Sequence, residues 1–239
     1  MEQYYLGFDA GTQSVKTAVY DIDMNLIVQD TNATILNYPH PGWVEMDVDE
    51  YLRLTKACMK ECVEQMRAKG LAVEGIQSIM GDGIICGIAG VDREGHAITP
   101  YINYLDSRTA RDVQAINAMN LDIWGKETGN AEANCMFPAM FARWFLENSK
   151  AFQEKGAKFI HNAPYILAHL AGLSAEEMFI DWGAMSGWGL GYNVYTKEWS
   201  KEQLDLLKLD MKYMPKIVKP WDIIGKLTEE AAEETGLPA

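Results

Sequence analysis

Positive charge is scarce in this sequence. Its 239 residues carry 21 Lys and Arg against 34 Asp and Glu, a formal net charge of −13. That balance argues against a nucleic-acid partner, because a phosphate backbone is bound by a basic footprint. It argues equally against docking on an anionic membrane surface. It does not exclude ATP, which local backbone N–H groups and Mg²⁺ can hold. Long apolar runs are missing as well: no stretch of about 18 apolar residues occurs, so no transmembrane helix is expected. The start, Met1-Glu2-Gln3-Tyr4-Tyr5, lacks the basic opening and apolar core of a signal peptide. Cysteine is limited to Cys58, Cys62, Cys86 and Cys135. Cys58 and Cys62 share one helical face, but no His or Cys pair at zinc spacing completes a metal site. The four read as reduced, buried thiols of a cytoplasmic protein. His161 and His169 read as satisfied core or surface groups rather than ligands. There is no internal repeat and no low-complexity tract.

What is present is an apolar fraction of 48%, enough for the core of one large domain or two small ones. Tyr4 to Asp9 reads as a strand ending on a carboxylate. Gly11 and Thr12 turn the chain into a second strand, Ser14 to Tyr20, and a third runs from Leu26 to about Ala33. Short connections make these an antiparallel meander. A Pro- and Gly-containing loop at 37–46 leads to the clearest helix, 47–69, where apolar residues from Val48 to Met66 recur at helical spacing. Asp47 is its expected N-cap, with Glu50 three residues on, and Gly70 its stop. Ile76 to Met80 reads as a buried strand and Ile84 to Val91 as another. Three strands, a helix and a strand is the order of the ribonuclease-H-like α/β fold, here with a mixed five-stranded sheet. The second half is a helical insertion, with helices over 109–119, 138–148, 164–171, 200–207 and 228–234. The Gly- and Trp-rich stretch 181–191 reads as irregular chain. Trp182 and Trp188 within it suit a packed loop better than an aromatic sugar platform. The run Glu229 to Glu234 reads as a solvated helix face.

The sharpest local signal is Gly7-Phe8-Asp9-Ala10-Gly11-Thr12-Gln13-Ser14-Val15-Lys16. Small residues let backbone N–H groups approach phosphate oxygens, and the Thr12 and Ser14 hydroxyls add donors. Asp9 is placed to hold Mg²⁺ through water, and Lys16 to set a point charge near a transferred phosphate. The plain alternative is an ordinary hairpin with a solvated Asp. A second alternative is an aspartic hydrolase using Asp9. That chemistry takes two facing aspartates, and no second Asp-Thr-Gly or Asp-Ser-Gly occurs, so it would have to act as a homodimer.

Four segments, in order, resemble the FGGY carbohydrate kinases of the actin-like ATPase superfamily. They are Tyr5 to Lys16, Pro41-Gly42-Trp43-Val44-Glu45-Met46-Asp47, Tyr104-Leu105-Asp106-Ser107-Arg108, and Ile180 to Gly187 with Tyr195 to Ser200. The resemblance implies phosphoryl transfer from MgATP to a sugar or polyol hydroxyl. It implies that Asp9 serves the Mg²⁺–phosphate group and that Gly11, Thr12, Gln13, Ser14 and Lys16 lie along the nucleotide. Substrate contacts are expected from Ile85 and Cys86, from Tyr104, and from Met136. The family carries polar residues where this chain has Ile84-Ile85-Cys86, so Asp82, Asn103, Asp106 or Arg108 is expected to supply polar partners to the sugar. Family members are about twice as long, with the general base and the adenosine pocket in a second lobe. Residues 1–239 therefore read as the N-terminal, sugar-binding lobe, inactive without its C-terminal partner lobe. A homodimer and a non-catalytic sugar-binding module remain compatible readings.

Overall fold

Residues 2–239 are described by a computed structural model. Strands β1 (Tyr4–Ala10), β2 (Ser14–Asp21) and β3 (Leu26–Ala33) form the antiparallel meander. Their side chains alternate as a half-buried sheet requires. Tyr4, Leu6, Phe8 and Ala10 are buried, as are Val15, Thr17 and Val19, while Asp9 and Lys16 point to the opposite, open face. The two-residue β4 (Glu45–Met46) leads into α1 (Val48–Ala68), whose buried face runs from Val48 through Cys58 and Cys62 to Met66. Asp47 caps α1 by accepting from the backbone N–H of Asp49 at 2.9 Å and of Glu50 at 3.3 Å, a contribution of about 1 kcal/mol. The Glu50 side chain turns outward to Arg53 instead of reaching back to the cap. Gly70 ends the helix at φ +72°, where a side chain would be strained.

Strand β5 (Ile76–Gly83) returns parallel to β1 and completes a mixed sheet of order β3-β2-β1-β5. This sheet has four strands, not the five expected. The expected fifth, Ile84–Val91, leaves it at Ile84–Cys86. Side chains take the carbonyls there in place of a ladder: the Tyr101 hydroxyl donates to Ile84 O at 3.1 Å, and His161 Nε2 bonds Ile85 O at 3.0 Å. Beyond that break the chain becomes β6 (Gly87–Val91), followed by β7 (Tyr101–Asn103), α2 (Ala110–Asn117), α3 (Ile123–Thr128), α4 (Pro138–Asn148), α5 (Lys150–Lys155) and β8 (Lys158–Ile160). Strands β4, β7, β6 and β8 make a second, antiparallel sheet in that order.

Helix α6 (Asn162–Leu170) brings the chain back against β5 and α1. Strand β9 (Phe179–Asp181) precedes α7 (Trp182–Gly187), so the stretch expected to be irregular begins as a strand end and a short helix. Asp181 makes the difference. Its carboxylate caps α7 through Gly183 N at 2.6 Å and Ala184 N at 3.2 Å. Trp188 is buried edge-on against Trp199, whereas Trp182 packs against Trp221, so the two indoles form no common platform. The remainder is β10 (Tyr192–Asn193), β11 (Glu198–Trp199), α8 (Lys201–Leu207), β12 (Lys216–Val218), parallel to β9, and α9 (Glu229–Thr235). In α9 the four glutamates face outward while Ala231 and Thr235 face in.

Two cores result. One lies between the first sheet and α1 and α6, and is built of aliphatic, Met and Cys side chains with a few tyrosines. The other fills the helical insertion and is markedly aromatic, with Phe152 and Phe159 stacked 4.2 Å apart. No helix among the described residues is long and apolar enough to cross a membrane.

Candidate active site

Asp9 stands at the end of β1 on the open face of the first sheet. Register sets Lys16 of β2 beside it on one side and Asp82 of β5 on the other. Neighbouring strands lie about 4.8 Å apart, so the three side chains form one row, acid–acid–base, across the strand ends. Next to this row is a cleft of about 350 Å³ lined by Asp9, Gly11, Thr12, Gly83, Ile84, Ile85, Cys86, Tyr104 and Met136. Strand β1 and its hairpin supply one wall, the break after β5 the second, and the loops after β7 and before α4 the third.

The hairpin itself is tight. Gly11 N donates to Ser14 O at 3.0 Å, and among the described residues nothing accepts from the amides of Thr12 and Gln13. Two free, adjacent N–H groups beside a carboxylate and a lysine suit a phosphate oxygen and its counter-ion. Among the described residues no cluster of three or more His, Cys, Asp or Glu could hold a metal unaided. Asp9 and Asp82 together match the sparser demand of Mg²⁺, which takes one or two carboxylates and completes its shell with phosphate and water.

Cys86 sits at the back of the cleft, its thiol 3.4 Å from Gly187 O. Burial pushes that thiol up, so it is a neutral, weak donor at ordinary pH. Behind it His161 is buried, and desolvation lowers its pKa to about 4. The ring is therefore neutral at pH 7, and Nε2 carries the proton given to Ile85 O. Ile85, Tyr104 and Met136 are exposed to the cleft.

Of the residues singled out in the sequence, the structure gathers Asp9, Gly11, Thr12, Ile85, Cys86, Tyr104 and Met136 at one cleft. Gln13, Ser14, Lys16 and Asp82 lie just outside it, on the hairpin and along the open face. Asp106 and Arg108 are not with them. Asp106 is 1% exposed and accepts from Val44 N at 2.6 Å and from Arg108. The Arg108 guanidinium reaches Glu45 at 2.8 Å and lies 3.8 Å from the centre of the Trp43 ring and 4.7 Å from that of Trp144. Both side chains are buried and tied to Val44, Glu45 and each other, so they frame the loop behind Tyr104 instead of presenting polar groups to a sugar. Asn103, also buried, turns its amide nitrogen to Met46 Sδ and its oxygen to Leu105 N. The polar partners expected to compensate for Ile84-Ile85-Cys86 thus reduce to Asp82.

A model of the N-terminal domain of the FGGY family of carbohydrate kinases matches residues 4–239. The chain belongs to that family. It is 25% identical over 228 residues to a glycerol kinase of Burkholderia pseudomallei, covering 94% of this chain and 45% of that protein. It is 25% identical over 240 residues to a xylulose kinase of Klebsiella pneumoniae, covering 98% and 46%. Among solved structures, a xylulose kinase from Rhodospirillum rubrum superposes with a TM-score of 0.89 at 22% identity, over 99% of this chain and 47% of that one. The chain spans about half the length of the curated relatives it matches. The expected α/β fold class stands, with four strands in the mixed sheet in place of five: this is the N-terminal domain of an FGGY protein.

Proposed function

We propose that the chain is the N-terminal, sugar-binding lobe of a kinase that transfers the γ-phosphoryl group of ATP to a hydroxyl of a sugar or polyol. The observation that carries this reading is the row Lys16–Asp9–Asp82 at the mouth of a cleft whose other wall is Ile84–Cys86, Tyr104 and Met136. Phosphate-handling groups and a small acceptor pocket meet at Asp9.

In the proposed reaction the acceptor oxygen bonds to the γ-phosphorus, the bond to the ADP oxygen breaks, and the hydroxyl proton passes to a base. On this reading the base and the adenosine pocket belong to a second lobe, since the curated relatives are about twice as long as this chain. Asp9 would hold a hydrated Mg²⁺, with Asp82 alongside. When bound, the ion neutralises charge on the phosphates. The Thr12 and Gln13 amides and the Thr12 and Ser14 hydroxyls orient the phosphates, and Lys16 adds a point charge. Ile85, Met136 and the Tyr104 ring favour an acceptor with an apolar edge, and Asp82 receives one of its hydroxyls. Such a reaction goes with a cytoplasmic location, where MgATP is available.

The test uses the complete two-lobed protein. ADP release is followed with pentuloses, hexuloses, polyols and sugar acids in turn. Acceptor-dependent ADP release that is lost in Asp9→Asn is the expected result, with residues 1–239 alone inactive. Sugar binding by calorimetry with no turnover on any acceptor would leave a binding module instead.

A further inference from the structure

The phosphate hairpin is gripped from behind at four consecutive carbonyls. The Asn162 side-chain amide donates to Ala10 O at 2.7 Å. The Tyr51 hydroxyl donates to Gly11 O at 2.9 Å. Thr34 then holds two positions at once: its hydroxyl donates to Thr12 O at 2.7 Å and its backbone N–H to Gln13 O at 3.1 Å. These donors come from three separate places in the chain, the start of α6, the middle of the first turns of α1, and the exit of β3. Two of the three side chains are buried, Asn162 at 0% and Tyr51 at 1% exposure.

A short Gly-containing turn has several backbone states of similar energy. Flipping one peptide would turn its carbonyl into the phosphate site and its N–H away. With each carbonyl from Ala10 to Gln13 engaged from the protein side, such flips break a hydrogen bond, and the amides of Thr12 and Gln13 stay pointed outward without partners. Gly83 fits the same picture. A Cβ there would lie 2.7 Å from Asn162 Oδ1, so the end of β5 can approach the clamp only as glycine.

We infer that Tyr51, Thr34 and Asn162 are positioning residues for phosphate binding: they preorganise the hairpin amides and touch neither nucleotide nor sugar. This rests on the kinase reading given above. Preorganisation of this kind appears as affinity for the phosphate-bearing ligand and not for the sugar.

The experiment uses the complete protein carrying Tyr51→Phe, Thr34→Val, both together, and Thr34→Ser. Tyr51→Phe and Thr34→Val each remove one hydroxyl at nearly constant shape, the double variant removes both, and Thr34→Ser keeps its own. Affinity for MgADP and for the accepted sugar is measured by calorimetry, with the thermal midpoint alongside. The expected result is MgADP binding weaker by about fivefold in each single variant and about twentyfold in the double one, from loss of about one hydrogen bond each. Sugar affinity stays within twofold, and Thr34→Ser restores MgADP binding. A folded double variant with unchanged MgADP affinity overturns the clamp, as does an equal loss for MgADP and sugar, which would mean general loosening. If Tyr51→Phe fails to fold, Thr34→Val decides alone, since Thr34 is only half-buried. Unaltered protein that binds no MgADP, with or without sugar, overturns the kinase reading and the clamp together, whereas normal binding with indifferent variants overturns the clamp only.

Discussion

Asp9 and Asp106 sit in two short motifs of similar appearance, each an aspartate followed within three residues by a hydroxyl side chain, with a basic residue a little further on. The fold gives them opposite environments. Asp9 ends a strand on the open face of a sheet, beside unpartnered backbone amides. Asp106 is buried and bonded to Val44 N and Arg108, and its guanidinium partner lies over the Trp43 ring and against Trp144. A carboxylate that does chemistry must keep free lone pairs and reach solvent or ligand. One whose lone pairs are all taken by the protein can only hold the protein together.

That contrast can be broken from either side. Arg108→Ala leaves the Asp106 carboxylate buried without its cation, and unfolding in urea should show a loss of about 3–5 kcal/mol. A change under about 1 kcal/mol would mean that Asp106 is not part of the frame. Asp9→Asn should do the reverse. In the complete protein the rate falls by about 10²–10³-fold, the order of removing one preorganised electrostatic group, while the thermal midpoint stays within a few degrees. A stable Asp9→Asn protein with full activity would remove Asp9 from the chemistry.

Smaller effects sharpen the comparison at the cleft's rear wall. His161 is buried neutral, with its pKa lowered from 6.5 to about 4. A depressed pKa means that the unfolded chain binds the proton first, so stability is full above about pH 6.5 and falls as pH drops toward 4. Two to three kilocalories per mole, roughly, should be lost across that window, and His161→Gln should flatten this part of the profile. An unchanged profile would show that the ring is hydrated. Least affected should be Cys86→Ala, which removes one weak bond to Gly187 O. Stability should change by less than about 1 kcal/mol while sugar KM shifts a few-fold, whereas an unchanged KM for every acceptor would take Cys86 out of the pocket.

Much of the first sheet was legible beforehand because its signals are local. Period-2 burial in β1 and β2, Asp47 before an apolar helical face, and Gly70 at its end all act within a few residues. Segment 181–191 was misread because its Gly and Trp content hid a capping aspartate that shows itself only in the folded chain, by accepting from Gly183 N and Ala184 N. The end of the sheet was misread at Ile84–Cys86 for a different reason. Apolar residues there look like continuing strand, but Tyr101 and His161, far along the chain, take the carbonyls. The hairpin clamp was out of reach in the same way. Tyr51 follows the apolar stripe of α1 and reads as core, and nothing in its spacing tells that its hydroxyl meets Gly11 O.

Sequence alone determined the charge balance, the three-stranded meander with Asp9 at a strand end, the first long helix and the resemblance to the family to which the chain belongs. Each follows from composition, alternation or motif, which are properties of neighbouring residues. Tertiary structure decided which of the flagged polar groups are free. Whether a carboxylate, a carbonyl or an amide keeps an unused hydrogen-bonding position depends on partners brought from distant segments, such as Asn162 meeting Ala10 across 152 positions of chain. Those pairings exist only once the chain has folded, and they separate the Asp9 hairpin from the Asp106 frame.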